Sequence, residues 1–162
     1  MTTSNGQLAL RLLQSPPPAS PIPFADPAAP VAFLRAYFGD RLASRASDVS
    51  RFQEVVLRGR RGAGAGTVRL VLTTRDAAAY VADVELGADM QEVRVPLTAF
   101  RPGAQSLLPR PYPSFLPLTF QTVGPATLPL AQAEVLQVLL GPTTAPATTG
   151  RPFLDLESIY LR

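Results

Sequence analysis

The sequence predicts an all-β fold: an antiparallel β-sandwich of jelly-roll or Greek-key type, with one short helix and a long Pro-rich crossover loop. Three observations carry this. From Arg51 onward apolar and polar residues alternate with period two, the pattern of half-buried strands. Turn residues punctuate that pattern every ~10 residues, as expected of antiparallel pairs. Eighteen Pro and eleven Gly among 162 residues supply the turns and argue against a helical bundle. With 46% apolar and 17% charged residues, the chain is able to bury a core, and its length suits one domain rather than two.

Residues 7 to 14 read as a first strand, stopped by Ser15-Pro16-Pro17-Pro18. Seven Pro between Pro16 and Pro30 favour extended polyproline II and forbid a ladder, so residues 1–30 form a strand and Pro-rich lead packed on a sandwich domain of residues 31–162. Asp26-Pro27 reads as a helix N-cap followed by Pro at the first helical position. Val31, Leu34 and Phe38 recur at helical spacing, Phe33 and Tyr37 widen the stripe, and Gly39 supplies a C-cap, which predicts the helix near residues 27–38.

The expected strands are Phe52–Arg58, Thr67–Thr74, Ala79–Leu86, Gln91–Pro96, Ala131–Leu140 and Phe153–Leu161. Gly59 to Gly66 and Arg75-Asp76 are read as hairpin connections, the first a solvated Arg-rich loop, and Leu86 to Asp89 as the turn into the fourth strand. Tyr80, Ala82, Val84 and Leu86 face inward; Ala79, Asp83 and Glu85 face out. Leu70, Leu72, Val93 and Val95 join the core. Seven Pro between residues 98 and 129 break the rhythm, so a long connection wraps the outside of the sandwich.

Composition also excludes chemistry. The absence of Cys and His removes disulfides, thiolate ligands, the Ser-His-Asp arrangement and the commonest transition-metal ligand. All 15 basic residues are Arg, and the net charge of +3 is a small surplus without the clustered, aromatic-interleaved face of a nucleic-acid binder. No run approaches the ~18 apolar residues of a membrane span, and Met1 to Gly6 lacks signal-peptide features. The compartment is extracellular or periplasmic if the chain is cut from a longer secreted protein, cytoplasmic if Met1 is the native start. Gly62 to Gly66 leads into a strand and lacks a following Lys-Ser/Thr, so it fails as a phosphate loop. The carboxylate pairs Asp83/Glu85, Asp89/Glu92 and Asp155/Glu157 are of the kind expected on solvated strand faces, and no enzyme is predicted.

From Val68 to Phe100 the order of features is more specific. Gln91-Glu-Val-Arg-Val-Pro-Leu-Thr-Ala-Phe100 and the closing Leu156-Glu-Ser-Ile-Tyr-Leu161 resemble the "wqtv.vPls.f" and "iDnI.L" segments of the galactose-binding-like jelly roll. That family includes bacterial carbohydrate-binding modules and ancillary C-terminal domains of glycoside hydrolases. Met90 stands where the family has Trp, and Glu157 stands at its closing Asp. The resemblance implies a non-catalytic module whose partner is a glycan or an adjacent catalytic domain. The alternative is a structural or protein-interaction sandwich that binds no sugar. A structural calcium at Glu157 is what the resemblance offers as metal site, but it is not favoured, since no Asp-rich loop accompanies it. Sugar recognition needs aromatic faces and fixed polar groups. The candidates are Arg110, Tyr112 and Phe115, held between Pro residues in the crossover, with Arg75 and Asp76 from a neighbouring turn.

Overall fold

The computed structural model describes residues 2–4, 7–13, 32–62, 67–107, 118–121, 123–140 and 153–162. Its strands are β1 (Thr2–Ser4), β2 (Gln7–Leu13), β3 (Ala32–Tyr37), β4 (Glu54–Gly62), β5 (Thr67–Thr74) and β6 (Ala79–Glu85), then β7 (Gln91–Pro96), β8 (Arg101–Gly103), β9 (Gln105–Leu107), β10 (Leu118–Phe120), β11 (Ala133–Leu140) and β12 (Phe153–Leu161). The α-helix α1 spans Gly39–Ala43, and 3-10 turns occupy Ala46–Arg51, Leu97–Ala99 and Leu130–Gln132.

Two antiparallel sheets form the sandwich. One runs β1-β2-β12-β4-β7 and the other β3-β11-β5-β6-β8, with β9 and β10 paired separately. Successive strands change sheet between β4 and β5 and again between β6 and β7, the connectivity of a jelly roll. The expected hairpin between the first two central strands is therefore corrected: β4 and β5 lie in different sheets, whereas β5 and β6 do form a hairpin.

Inward-facing residues of both sheets make the core. Val55 and Leu57 of β4, Val95 of β7 and Leu154 and Leu156 of β12 meet Leu70 and Leu72 of β5, Tyr80 and Val84 of β6, and Val138 and Leu140 of β11. All are buried, as the alternation of β5, β6 and β7 predicts; Val93 is only partly buried against them. Tyr80 has no exposure and donates its hydroxyl to the Pro125 carbonyl at 3.0 Å, so it belongs to the core. A second cluster of Leu42, Leu130 and Ala133, with Phe38, Val49, Phe52 and Leu97 against it, closes one end of the sandwich.

Three further expectations are corrected. Residues 32–37 are an edge strand paired with β11, not helix. Leu34 and Phe38 are four apart, a spacing that shares one face in a strand as well as in a helix, and both pack toward the core. Gly39 opens α1 instead of ending a helix. The Arg58–Gly62 run is strand, because Arg58 and Arg60 find Glu157 and Asp155 across β12 at 2.8 and 2.9 Å. Gly59 fits there because a Cβ would approach the Asp155 carbonyl oxygen to 2.7 Å. Finally, Ala79 faces away from the main core yet is buried, in a cluster with Val71 and Leu139 on the outer face of the second sheet. The crossover holds β8, β9 and β10, and β9 lies over that face: Gln105 and Ser106 bond to Thr73 and Gln137.

Candidate functional site

The outer face of the second sheet is built from matched rows. Arg35, Gln137, Val71 and Val81 stand opposite one another across β3, β11, β5 and β6; Tyr37, Val135, Thr73 and Ala79 form the next row. Alternation puts these side chains on the face opposite the core. β9 covers part of it, and where the cover ends a groove of about 300 Å³ remains. Arg35, Glu134 and Val135 line one side, Thr73, Thr74, Arg75 and Ala77 the end of β5 and its turn, and Gln105 and Phe120 the side of β9 and β10.

Each group is held by a specific contact. Arg75 lies 3.1 Å from the Glu134 carboxylate, and its backbone N–H donates to the Gln132 carbonyl at 3.0 Å, which ties the turn to β11. Ala77 takes φ 64, the left-handed conformation, inside a turn closed by Thr74 N–H to Ala78 O at 2.9 Å. Gln105 donates its Nε2 to the Ala77 carbonyl at 3.1 Å, joining β9 to the same turn. Asp76 is exposed and accepts from the Thr74 hydroxyl, which holds its carboxyl below the ordinary range.

Two aromatic rings are presented here. Phe120 is 47% exposed and lines the groove; Tyr37 is 59% exposed and pairs with Val135, a lining residue. Desolvation first, then the Asp40 and Glu134 carboxylates, raise the Tyr37 hydroxyl above its ordinary value, so it stays a neutral hydrogen-bond donor. A flat apolar ring beside guanidiniums, a carboxylate and a side-chain amide is the chemistry that holds a polyhydroxylated ring: C–H faces against the arene, hydroxyls on the polar groups.

Of the sequence candidates, Arg75 lines this groove and Asp76 adjoins it. Arg110, Tyr112 and Phe115 lie outside the described residues, on the chain between β9 and β10. Glu157 is elsewhere, on β12, with Arg58 donating Nε–H to it at 2.8 Å; among the described residues no group of three acidic side chains is placed to hold a metal. Of the carboxylates weighed as pairs, Asp83, Glu92, Asp155 and Glu157 are matched to arginines, Asp83 to Arg69, Glu92 to Arg94, Asp155 to Arg60 and Glu157 to Arg58. Arg35, Glu134, Gln105 and Phe120 escaped sequence reasoning. Arg35 was hidden by the helical reading of its strand; Phe120, set between Pro117 and Pro125, carries the same ring-between-prolines signal that singled out Tyr112.

No family model and no curated protein sequence matches the chain. Among solved structures it is similar to the family 11 carbohydrate-binding module of the cellulosomal cellulase Lic26A-Cel5E of Clostridium thermocellum, with a TM-score of 0.51 and 12% identity over 83% of this chain and 69% of that one. A family 11 module from Clostridium thermocellum in complex with a β-1,3-1,4-mixed-linked tetrasaccharide gives 0.47 and 13% over 69% of this chain, which spans 59% of that module. PfGH50B gives 0.44 and 19% over 70% of this chain and 16% of its own. The chain is thus an all-β jelly-roll domain whose fold is similar to that of the Lic26A-Cel5E module.

Proposed function

We propose that this domain is a non-catalytic carbohydrate-binding module, ancillary to a carbohydrate-active enzyme, and that the groove between β9–β10 and the second sheet is its saccharide site. The observation that carries the reading is Phe120: a half-exposed ring in a groove whose other walls are Arg75, Glu134 and Gln105, all fixed by contacts to the sheet or its turn. Such rigid presentation limits the entropy lost on binding. The jelly-roll fold supports the reading, since it is similar to that of a family 11 carbohydrate-binding module. Arg110, Tyr112 and Phe115 stay within the proposal as added contacts, on the sequence argument given above, and an adjacent catalytic domain as the second partner.

A glycan array followed by calorimetric titration tests this. Phe120→Ala is expected to lower affinity at least tenfold while the melting temperature holds, because the ring contributes to the groove and not to the core. A chain that binds no glycan at any concentration tested, with Phe120→Ala melting lower, would instead support an interaction domain whose ring packs against protein.

A further inference from the structure

Among the arginines of β4 to β8, Arg58, Arg60, Arg69 and Arg94 each face a carboxylate, and Arg61 and Arg101 donate to backbone carbonyls. Arg35 differs from all of them: no hydrogen bond or ion pair engages it among the described residues, although it is exposed and lines the groove. Its cross-strand neighbour is Gln137, whose amide is taken up by Ser106, and the groove's one carboxylate, Glu134, is matched to Arg75. The lining therefore carries two guanidiniums against one carboxylate, and the uncompensated charge sits at Arg35.

Resting on the carbohydrate reading above, we propose that the groove takes an acidic saccharide, a uronic-acid unit whose carboxylate seats on Arg35 while its ring face lies on Phe120. A guanidinium presents paired N–H donors in a planar fork that matches a carboxylate bidentately, a match that no hydroxyl of a neutral sugar reproduces. Glu134 acts in the same direction. Held by Arg75, it leaves Arg35 uncompensated, and its own charge makes a neutral sugar hydroxyl, not a second anion, the fitting group at that end. One acidic unit beside a neutral one suits the groove better than two adjacent anions.

The test is calorimetric titration of a defined oligogalacturonide and a neutral galactan oligomer of equal length into wild type, Arg35→Gln, Phe120→Ala and Arg45→Gln. Wild type is expected to favour the uronate oligomer about tenfold at low salt, a preference that shrinks as salt rises. Arg35→Gln should abolish the preference, bringing uronate affinity down about tenfold to that of the neutral oligomer. Arg45→Gln, which removes the same charge from outside the groove, should leave the preference in place. Phe120→Ala should weaken both ligands. Neutral oligomer bound as tightly as uronate, or a preference that survives Arg35→Gln, overturns the acidic ligand and leaves the module reading standing. A sulfated oligomer bound where the uronate is not overturns the carboxylate. Binding of none of them overturns both readings together.

Discussion

Gln137 grips the backbone of Ser106 with both ends of its amide: the Ser106 N–H donates to Oε1 at 2.9 Å, and Nε2 donates to the Ser106 carbonyl at 2.6 Å. The two bonds reproduce with a side chain what a neighbouring strand does with its backbone. Neither residue has more than 1% exposure, so the pair is sealed from water. It fastens β9 onto the outer face of the second sheet, and β9 with its partner β10 carries Gln105 and Phe120 into the groove.

Gln137→Ala is accordingly expected to destabilise the domain by roughly 2–4 kcal/mol, because two bonds are lost and a buried N–H and carbonyl are left without partners. Gln137→Glu should also destabilise, since a carboxylate accepts from Ser106 N–H but cannot donate to its carbonyl. Urea denaturation measures both, and amide exchange at Ser106 reports whether β9 has lifted. A loss under about 1 kcal/mol with Ser106 still protected would show that other contacts hold β9.

The sandwich was legible because β7 and stretches of β5 and β6 alternate, and a one-residue slip would turn Leu70, Val84 and Val95 out of the core. The edge strand β3 was not legible: Leu34 and Phe38 satisfy both periods, and only pairing with β11 decides between them. Burial of the outer face was equally hidden, since Ala79 and Val71 are covered there by chain distant in sequence. Gln137 did leave a trace, as the one polar residue in the apolar run from Val135 to Leu140. A polar side chain in such a run calls for a buried partner, but nothing local says that the partner is Ser106. Of the site, Arg75 and Asp76 were legible as turn residues, whereas Arg35 and Phe120 meet them only through the register of β3, β11 and β5 and the placement of β10.

The turn after β5 offers a gain in stability. Ala77 sits at φ 64, a conformation that costs an L-residue with a Cβ roughly 1 kcal/mol or more. Ala77→Gly should raise stability by about 0.5–1 kcal/mol, the relief being partly offset by the freer unfolded chain. Its hydrogen bonds are made by backbone and are kept. Thermal melts of the variant decide it; a lower melting temperature would mean that the methyl's packing outweighs the strain.

Stability should be flat between about pH 5 and 8 and fall in acid. The chain has no His, so no side chain titrates there at its ordinary value. The Asp76 carboxyl is lowered by the hydrogen bond from Thr74, and that of Asp83 by the hydrogen bond from Arg69. A carboxyl lowered in the folded state stabilises above its unfolded value, here 3.8, and that contribution is lost as pH falls through the folded value. Melting temperatures from pH 8 down to 2 should therefore break below about 4, and Asp83→Asn should shallow the acid limb. A transition near neutrality would contradict the assignment.

Arg61 is the residue whose removal is expected to help. It follows Val55, Leu57 and Gly59 on the inward-facing side of β4, and is 3% exposed. Its Nη1 donates to the Thr67 carbonyl at 2.6 Å, while Nε and Nη2 have no partner among the described residues. Desolvation lowers its pKa, and the field of Glu85 acts the other way. A buried cation with unfilled donors costs stability unless a partner compensates it, and replacing such a charge with an apolar side chain of similar length is often neutral or favourable by ~1 kcal/mol or more. Arg61→Met keeps most of the volume and removes the unmet donors, so its melting temperature should equal or exceed wild type. Glu85→Gln removes the compensating field without removing the cation and should lower it. In the Arg61→Met background the same Glu85→Gln change should have almost no effect, and that pairwise difference isolates the charge coupling from packing. If Arg61→Met instead loses more than about 1 kcal/mol, the guanidinium's bond to Thr67 and its fit at the end of the core outweigh its desolvation.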